Sequence, residues 1–98
     1  MPKIEKEIET VLEVVEPTKY KVLLHNDDYT SMDFVVEILM GVFHKNLLES
    51  EQIMLDIHKK GRAICGIYTF EIAQTKVQQV KTMAKSSGFP LLATLEEE

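Results

Sequence analysis

Apolar and polar positions change their period along the chain in a way that marks out six elements. Lys19-Tyr20-Lys21-Val22-Leu23-Leu24-His25 is a short, apolar, β-favouring run closed by the turn formers Asn26-Asp27-Asp28, and reads as a strand. At Thr30-Ser31-Met32-Asp33, an N-cap pattern with an acidic residue three positions on, the period lengthens to that of a helix. Met32, Val35, Val36, Leu39 and Phe43 then form its predicted inner face. Asn46-Leu47-Leu48-Glu49 offers a second cap, for a helix that runs towards Lys60 and stops at Gly61. Arg62 to Tyr68 reads as another strand. Thr69 caps a third helix with Ala73, Val77, Val80 and Ala84 inward and Gly88 after its end. Pro90 precedes a last short strand, Leu91 to Leu95. The order β-α-α-β-α-β predicts an α+β two-layer sandwich, a three-stranded sheet covered on one face by three helices.

The first residues stand apart from this pattern. Ile4, Ile8, Val11, Leu12 and Val15 make a weak helical stripe, but an isolated helix of this length is marginal in water and several of its residues are β-branched. The expectation is a flexible N-terminal extension at 1–17, free to dock on a partner, and a core domain at 18–98. Charge supports the division. Residues 1–16 hold five Glu and two Lys, a net of −3, and Glu96, Glu97 and Glu98 add another −3. With −5 for the whole chain, the middle, 17–95, is left at +1. The acidity therefore belongs to the ends, read as solvated tails, and no basic stripe exists to neutralise phosphates, which argues against a nucleic-acid partner. No apolar run reaches the roughly 20 residues a bilayer span needs, and the opening Met-Pro-Lys-Ile-Glu-Lys-Glu has no apolar signal region. A lone Cys65 forms no internal disulfide. A cytoplasmic protein, away from membranes, is the expectation.

Candidate chemistry concentrates in two places. His25-Asn26-Asp27-Asp28-Tyr29-Thr30-Ser31-Met32 crowds an amide and two carboxylates into a turn just before a helix. A turn followed by a cap accounts for them. A calcium loop counted from Asn26 fails, because its first position is Asn, Ser31 replaces the sharp-turn Gly, and a strand precedes it where a helix belongs. The second place is Met54, Ile57 and His58, three and four residues apart and so on one helix face. A histidine beside methionine is more often a partly buried surface residue than a ligand. His25, His44 and His58 lack metal-binding spacing, Cys65 has no partner nearby in sequence, and no metal or other cofactor is expected. Nor is there a nucleophile elbow or a phosphate-cradling Gly loop, so the chain does not read as an enzyme.

Taken together, Tyr20 to Val35 (YKVLLHNDDYTSMDFV), Met54-Leu55-Asp56-Ile57-His58, Gly61 to Thr69 (GRAICGIYT) and Pro90 to Glu96 (PLLATLE) resemble ClpS, the bacterial adaptor of the Clp protease. The likeness spans about residues 18–96, with its four segments in the family's order. It departs mildly at Ser31, where the family usually has Pro, and at Asp33, where Glu is common. The resemblance implies an adaptor that binds substrate proteins by an N-terminal Leu, Phe, Tyr or Trp and hands them to an AAA+ ATPase of the ClpA or ClpC type. It implies that Asn26, Asp27 and His58 hold the N-terminal amine, and that Thr30, Met32, Val35, Met54, Ile57 and Leu91 form the side-chain pocket. Glu71 and Lys76 match positions at which the family contacts the ATPase's N-terminal domain, although a solvated helix face explains exposed charges equally well. The first sixteen residues resemble a variable extension that aids substrate transfer.

Two other readings compete. The fold also resembles the C-terminal domain of the ribosomal stalk protein, a binding module that would call for a basic helix face. An enzyme would use Asp27, Asp28 and His58 as an acid–base group and turn over substrate without an ATPase. A ClpS-like domain serving a ubiquitin ligase would need a ligase attached, which 98 residues do not hold. The amine-binding role makes one demand on pH. His58 accepts a hydrogen bond only through an unprotonated ring nitrogen, so peptide affinity is expected to fall as the imidazole charges. A titration that stays flat between about pH 8 and about pH 5 removes His58 from the site.

Overall fold

β1 (Lys19–His25) is the middle strand of a sheet ordered β2-β1-β3 and pairs antiparallel with both neighbours, β2 (Arg62–Thr69) and β3 (Leu92–Glu97). The computed structural model describes residues 17–98, so the extension expected at 1–17 lies outside the described residues except for Pro17. Three helices complete the fold: α1 (Met32–Gly41), α2 (Leu47–Lys60) and α3 (Phe70–Ser87). The element order is the β-α-α-β-α-β predicted above.

Strand alternation divides β1 between two faces. Val22 and Leu24 are fully buried and belong to the core with α1, Ile57 of α2, and Ala73, Val80 and Ala84 of α3. Lys21, Leu23 and His25 alternate with them and take the opposite face. There Lys21 approaches Glu96 at 4.0 Å, Arg62 pairs with Glu96 at 3.1 Å, and His25 Nε2 lies 2.7 Å from Thr94 Oγ1. Glu96 and Glu97 therefore close the last strand rather than trailing as a solvated tail, and β3 runs two residues past the predicted end at Leu95.

Two of the three helices stop where the sequence says, at a glycine in left-handed conformation: Gly61 (φ 91°) after α2 and Gly88 (φ 78°) after α3. The start of α1 differs from expectation. Ser31, not Thr30, is the cap, its Oγ accepting the Phe34 N–H at 3.1 Å. The buried face is also turned: Phe34 and Val35, Ile38 and Leu39, then Val42 and Phe43 face the core. Met32 is 46% exposed and Val36 only half-buried. Apolar residues crowd both sides of this segment, so periodicity alone did not decide which side the core would take.

β2 carries one irregularity. Val22 pairs with Gly66 but Leu23 with Ile64, leaving Cys65 as the extra residue of a bulge, buried in the core. Burial, opposed only weakly by the Leu24 backbone and Lys45, pushes its thiol up to about 12. Beyond the bulge, the Tyr68 ring lies across Gly66: a Cβ there would stand closer than 3.0 Å to three atoms of the tyrosine. Lys76 Nζ also lies over that ring, 5.7 Å from its centroid, and donates a 2.7 Å hydrogen bond to the Val42 carbonyl beyond the end of α1.

This packing is testable by two glycine substitutions. Gly66→Ala should destabilise the protein by about 1–3 kcal/mol, because Tyr68 must leave its place. Gly41→Ala, where no atom lies within 4 Å of the added methyl, should be neutral or slightly stabilising. Urea midpoints of the two variants check the contrast; equal midpoints would show that Tyr68 moves without cost.

Candidate functional site

The central strand runs out at His25, and the next backbone N–H, that of Asn26, donates to the Gly61 carbonyl at 2.8 Å. This bond joins the end of β1 to the C-cap of α2. Counting back from Gly61 by one helical turn reaches Ile57 and His58, and by two, Met54, so three residues of α2 are carried to the turn after β1.

Asp27 organises that turn. Its Oδ1 accepts the backbone N–H groups of Tyr29 at 2.8 Å and Thr30 at 2.7 Å, while its Oδ2 accepts the Thr30 hydroxyl at 2.7 Å. Partial burial raises the carboxyl's pKa, but the Thr30 hydroxyl and the two backbone donors together outweigh it, and Asp27 sits below its ordinary value. The Thr30 hydroxyl, expected as a helix cap, is spent on this carboxylate instead; Ser31 does the capping.

Turn, α1 and α2 enclose a cavity of about 280 Å³. Asn26, Asp27, Asp28 and Thr30 contribute from the turn, Met32 and Val35 from α1, and Met54, Ile57 and His58 from α2. Val35 and Ile57 are buried in the core, whereas Asn26, Asp28 and His58 are exposed. The cavity thus grades from an apolar interior to a margin of two carboxylates, an amide and an imidazole, without a lysine or arginine. Such a margin accepts hydrogen bonds from a small cation, and the interior accepts an apolar group. The volume falls just under the roughly 300–1,000 Å³ of pockets for drug-sized ligands, the scale of one amino-acid residue. Among the described residues no group of three or more His, Cys, Asp or Glu could hold a metal ion.

Eight of the nine residues proposed for the amine and the side chain meet in this one cavity. Leu91 does not line it. Being at the entry to β3, it tucks under α3 beside Phe89 and Ala84, and shares only the core with Val35 and Ile57. Asp28 lines the cavity although it was not in the proposed set; its place in the same turn as Asp27 was the available signal. Glu71 is exposed near the start of α3, between exposed Phe70 and Ile72, while Lys76 is partly buried by its bond to Val42.

Comparison with known proteins settles the lineage. The family described as ATP-dependent Clp protease adaptor protein ClpS matches residues 15–94. The chain belongs to the ClpS family. A Wolinella succinogenes ClpS adapter protein is 55% identical over 93 residues, 95% of this chain and 91% of the relative. A Campylobacter jejuni ClpS adapter protein is 54% identical over 98 residues, the full length of both. Among solved structures, Agrobacterium tumefaciens ClpS2 bound to L-phenylalaninamide superposes with a TM-score of 0.82 at 37% identity, covering 85% of this chain and all of that one. The ClpS fold is thus the three-stranded antiparallel sheet and three helices described above.

The lowered Asp27 carboxyl has a consequence for stability. A group whose folded pKa lies below its unfolded value stabilises above the unfolded value, and loses that contribution as pH falls through the folded one. Asp27→Asn should therefore lower the denaturation midpoint at neutral pH, and the gap to wild type should close below the ordinary carboxylate range. A gap that persists undiminished near pH 2, on the order of two units below an ordinary Asp, would assign the loss to packing instead.

Proposed function

We propose that this ClpS-family protein binds the N-terminal residue of substrate proteins, Leu, Phe, Tyr or Trp, in the cavity between the Asn26–Thr30 turn, α1 and α2, and delivers them to a Clp AAA+ ATPase. The observation that carries the reading is the pairing, within one residue-sized cavity, of a cation-free margin of acceptors and an apolar interior. An N-terminal residue has that same duality, an α-ammonium next to a side chain. L-Phenylalaninamide, the ligand of the A. tumefaciens relative, carries a free amine and a benzyl group but no free carboxylate, as an N-terminal Phe does.

In this reading the Asn26 amide oxygen, the Asp27 carboxylate and an unprotonated His58 nitrogen receive the ammonium. Thr30, Met32, Val35, Met54 and Ile57 surround the side chain, with Leu91 backing them from the core. Burying a Leu or Phe side chain gives only about 1.5–3 kcal/mol, so the charge-assisted bonds to the ammonium must supply much of the affinity. Two methionines suit a wall that takes both aliphatic and aromatic guests, being unbranched and polarizable. The same wall crowds a branched β-carbon, which disfavours Ile and Val. The protein acts by binding and not by catalysis. Glu71 meets the ATPase's N-terminal domain, with Phe70 and Ile72 exposed beside it; Lys76, with one of its three N–H donors given to Val42, keeps two for the same partner. Residues 1–17 serve the transfer of substrate ahead of the core domain at 18–98. The work is cytoplasmic and needs neither membrane nor nucleic acid; none of the described helices is long and apolar enough to cross a membrane.

Fluorescence anisotropy with labelled peptides that differ only at residue one tests the reading. Leu, Phe, Tyr and Trp peptides should bind, while Val and N-acetyl-Leu peptides should be weaker by at least about tenfold, and His58→Ala should cost a similar factor. Equal binding of acetylated and free Leu peptides would refute it.

A further inference from the structure

We propose that residues 4–16 of this chain dock, as an amphipathic helix, in the groove between α3 and β3. The inference is independent of the amine-binding reading above, because the groove shares no lining residue with the cavity beside the Asn26–Thr30 turn.

The groove has a volume of about 500 Å³. Its floor is apolar, with Ala84 and Leu91 buried and Val77 and Phe89 partly so. Lys81 and Lys85 line it from α3, both exposed and one helical turn apart, and no acidic residue lines it. Among the described residues neither lysine is paired with a carboxylate. Two other grooves lack this combination. The one beside Ile53 and Ile64 also holds cations, but Lys21 and Arg62 already face Glu96 there, and Lys60 faces Asp56. The one between the end of α1 and α3, at Val42 and Met83, has no charged lining.

The N-terminal segment has the complementary pattern. Read with a helical period, Ile4, Ile8, Val11, Leu12 and Val15 make one stripe, flanked by Glu5, Glu9, Glu13 and Glu16 at one-turn spacing, like the two lysines. Lys3 and Lys6 fall away from the stripe. The chain also enters the fold at the right place. Lys19 pairs with Thr69, the residue before α3, its carbonyl accepts the Glu98 N–H at 2.9 Å, and the Tyr20 and Phe70 rings meet at 5.2 Å. Pro17 therefore stands where α3 starts and β3 finishes, at the mouth of the space between them. Val77 lies about 10 Å along α3 from Phe70, and Lys85 about 12 Å further. Pro17 and Thr18, extended, bridge about 7 Å, and a helix over 4–16 adds about 20 Å, enough to pass both lysines. Glu97 and Glu98 stand at the mouth and do not line the groove. A helix of this length is marginal alone, and the apolar floor and the lysines supply the contacts it lacks. The arm is then stored on the core of the free protein, and must leave the groove to reach a partner.

Amide NMR of the full, peptide-free chain tests this. Ile8→Asp with Leu12→Asp, both changed in the arm, should shift the resonances of Val77 to Lys85 and of Phe89 to Ala93, far off in sequence. Lys81→Glu with Lys85→Glu should shift the resonances of residues 4–16, and adding Glu5→Lys with Glu9→Lys should return them towards wild type, since the exchanged charges again attract. Groove resonances that ignore the arm variant overturn the proposal, and so does a charge exchange that restores nothing. Shifts confined to the groove at Val42 and Met83, or to the one at Ile53 and Ile64, would place the arm elsewhere and refute it equally. Shifts that grow with protein concentration would put the arm on a second copy, against the proposal. No peptide is present, so none of these outcomes depends on whether the Asn26–Thr30 cavity binds an amine.

Discussion

One backbone hydrogen bond, from the Asn26 N–H to the Gly61 carbonyl, determines where the rest of the site can be. Asn26 is the first residue after a strand paired on both sides, and Gly61 is the cap of a fourteen-residue helix. Each is the end of a rigid element, so the bond places two rigid bodies rather than two loops. It works only because Gly61 takes a left-handed φ of 91°, which a side chain there would strain. The helix then presents His58 one turn from the junction. Acceptors from residues 26–28 and a face containing Met54, Ile57 and His58, some thirty positions apart in sequence, become neighbours by this route.

The turn that follows is held by charge. Asp27 collects three donors within three residues and precedes the N-terminus of α1, where the helix dipole favours negative charge. A carboxylate held in this way stays ionised even when partly shielded from water. The same group that shapes the loop therefore presents negative charge to the cavity, and both tasks draw on the one set of lone pairs.

Much of the fold was legible because its boundaries are written in residues with local physical meaning. Asn46 and Gly61 delimit α2, and Gly88 closes α3, each through its own backbone or side-chain geometry. The face of α1 was not legible: Met32, Phe34, Val35, Val36, Ile38 and Leu39 offer apolar surface in nearly every direction, and only packing against Val22 and Leu24 selects among them. Strand order was equally hidden, since pairing depends on contacts far apart in sequence. The bulge at Cys65 is of the same kind. In the site, family likeness brought together residues that the cavity also brings together, Leu91 excepted. Asp28 and the hydrogen bond from the Thr30 hydroxyl to Asp27 went unseen, because a turn of Asn, Asp and Thr fits several hydrogen-bond patterns and only coordinates distinguish them.

The buried bulge has a practical side. The chain holds a single cysteine, and Cys65 is 1% exposed with its thiol raised to about 12, so the folded protein carries almost no thiolate at neutral pH. A second cysteine introduced at an exposed position, such as Gln74 or Lys85 on α3, would then react alone with a maleimide dye. The native background needs no cysteine removal, and distances from the core to any partner become measurable by fluorescence on an otherwise unaltered molecule.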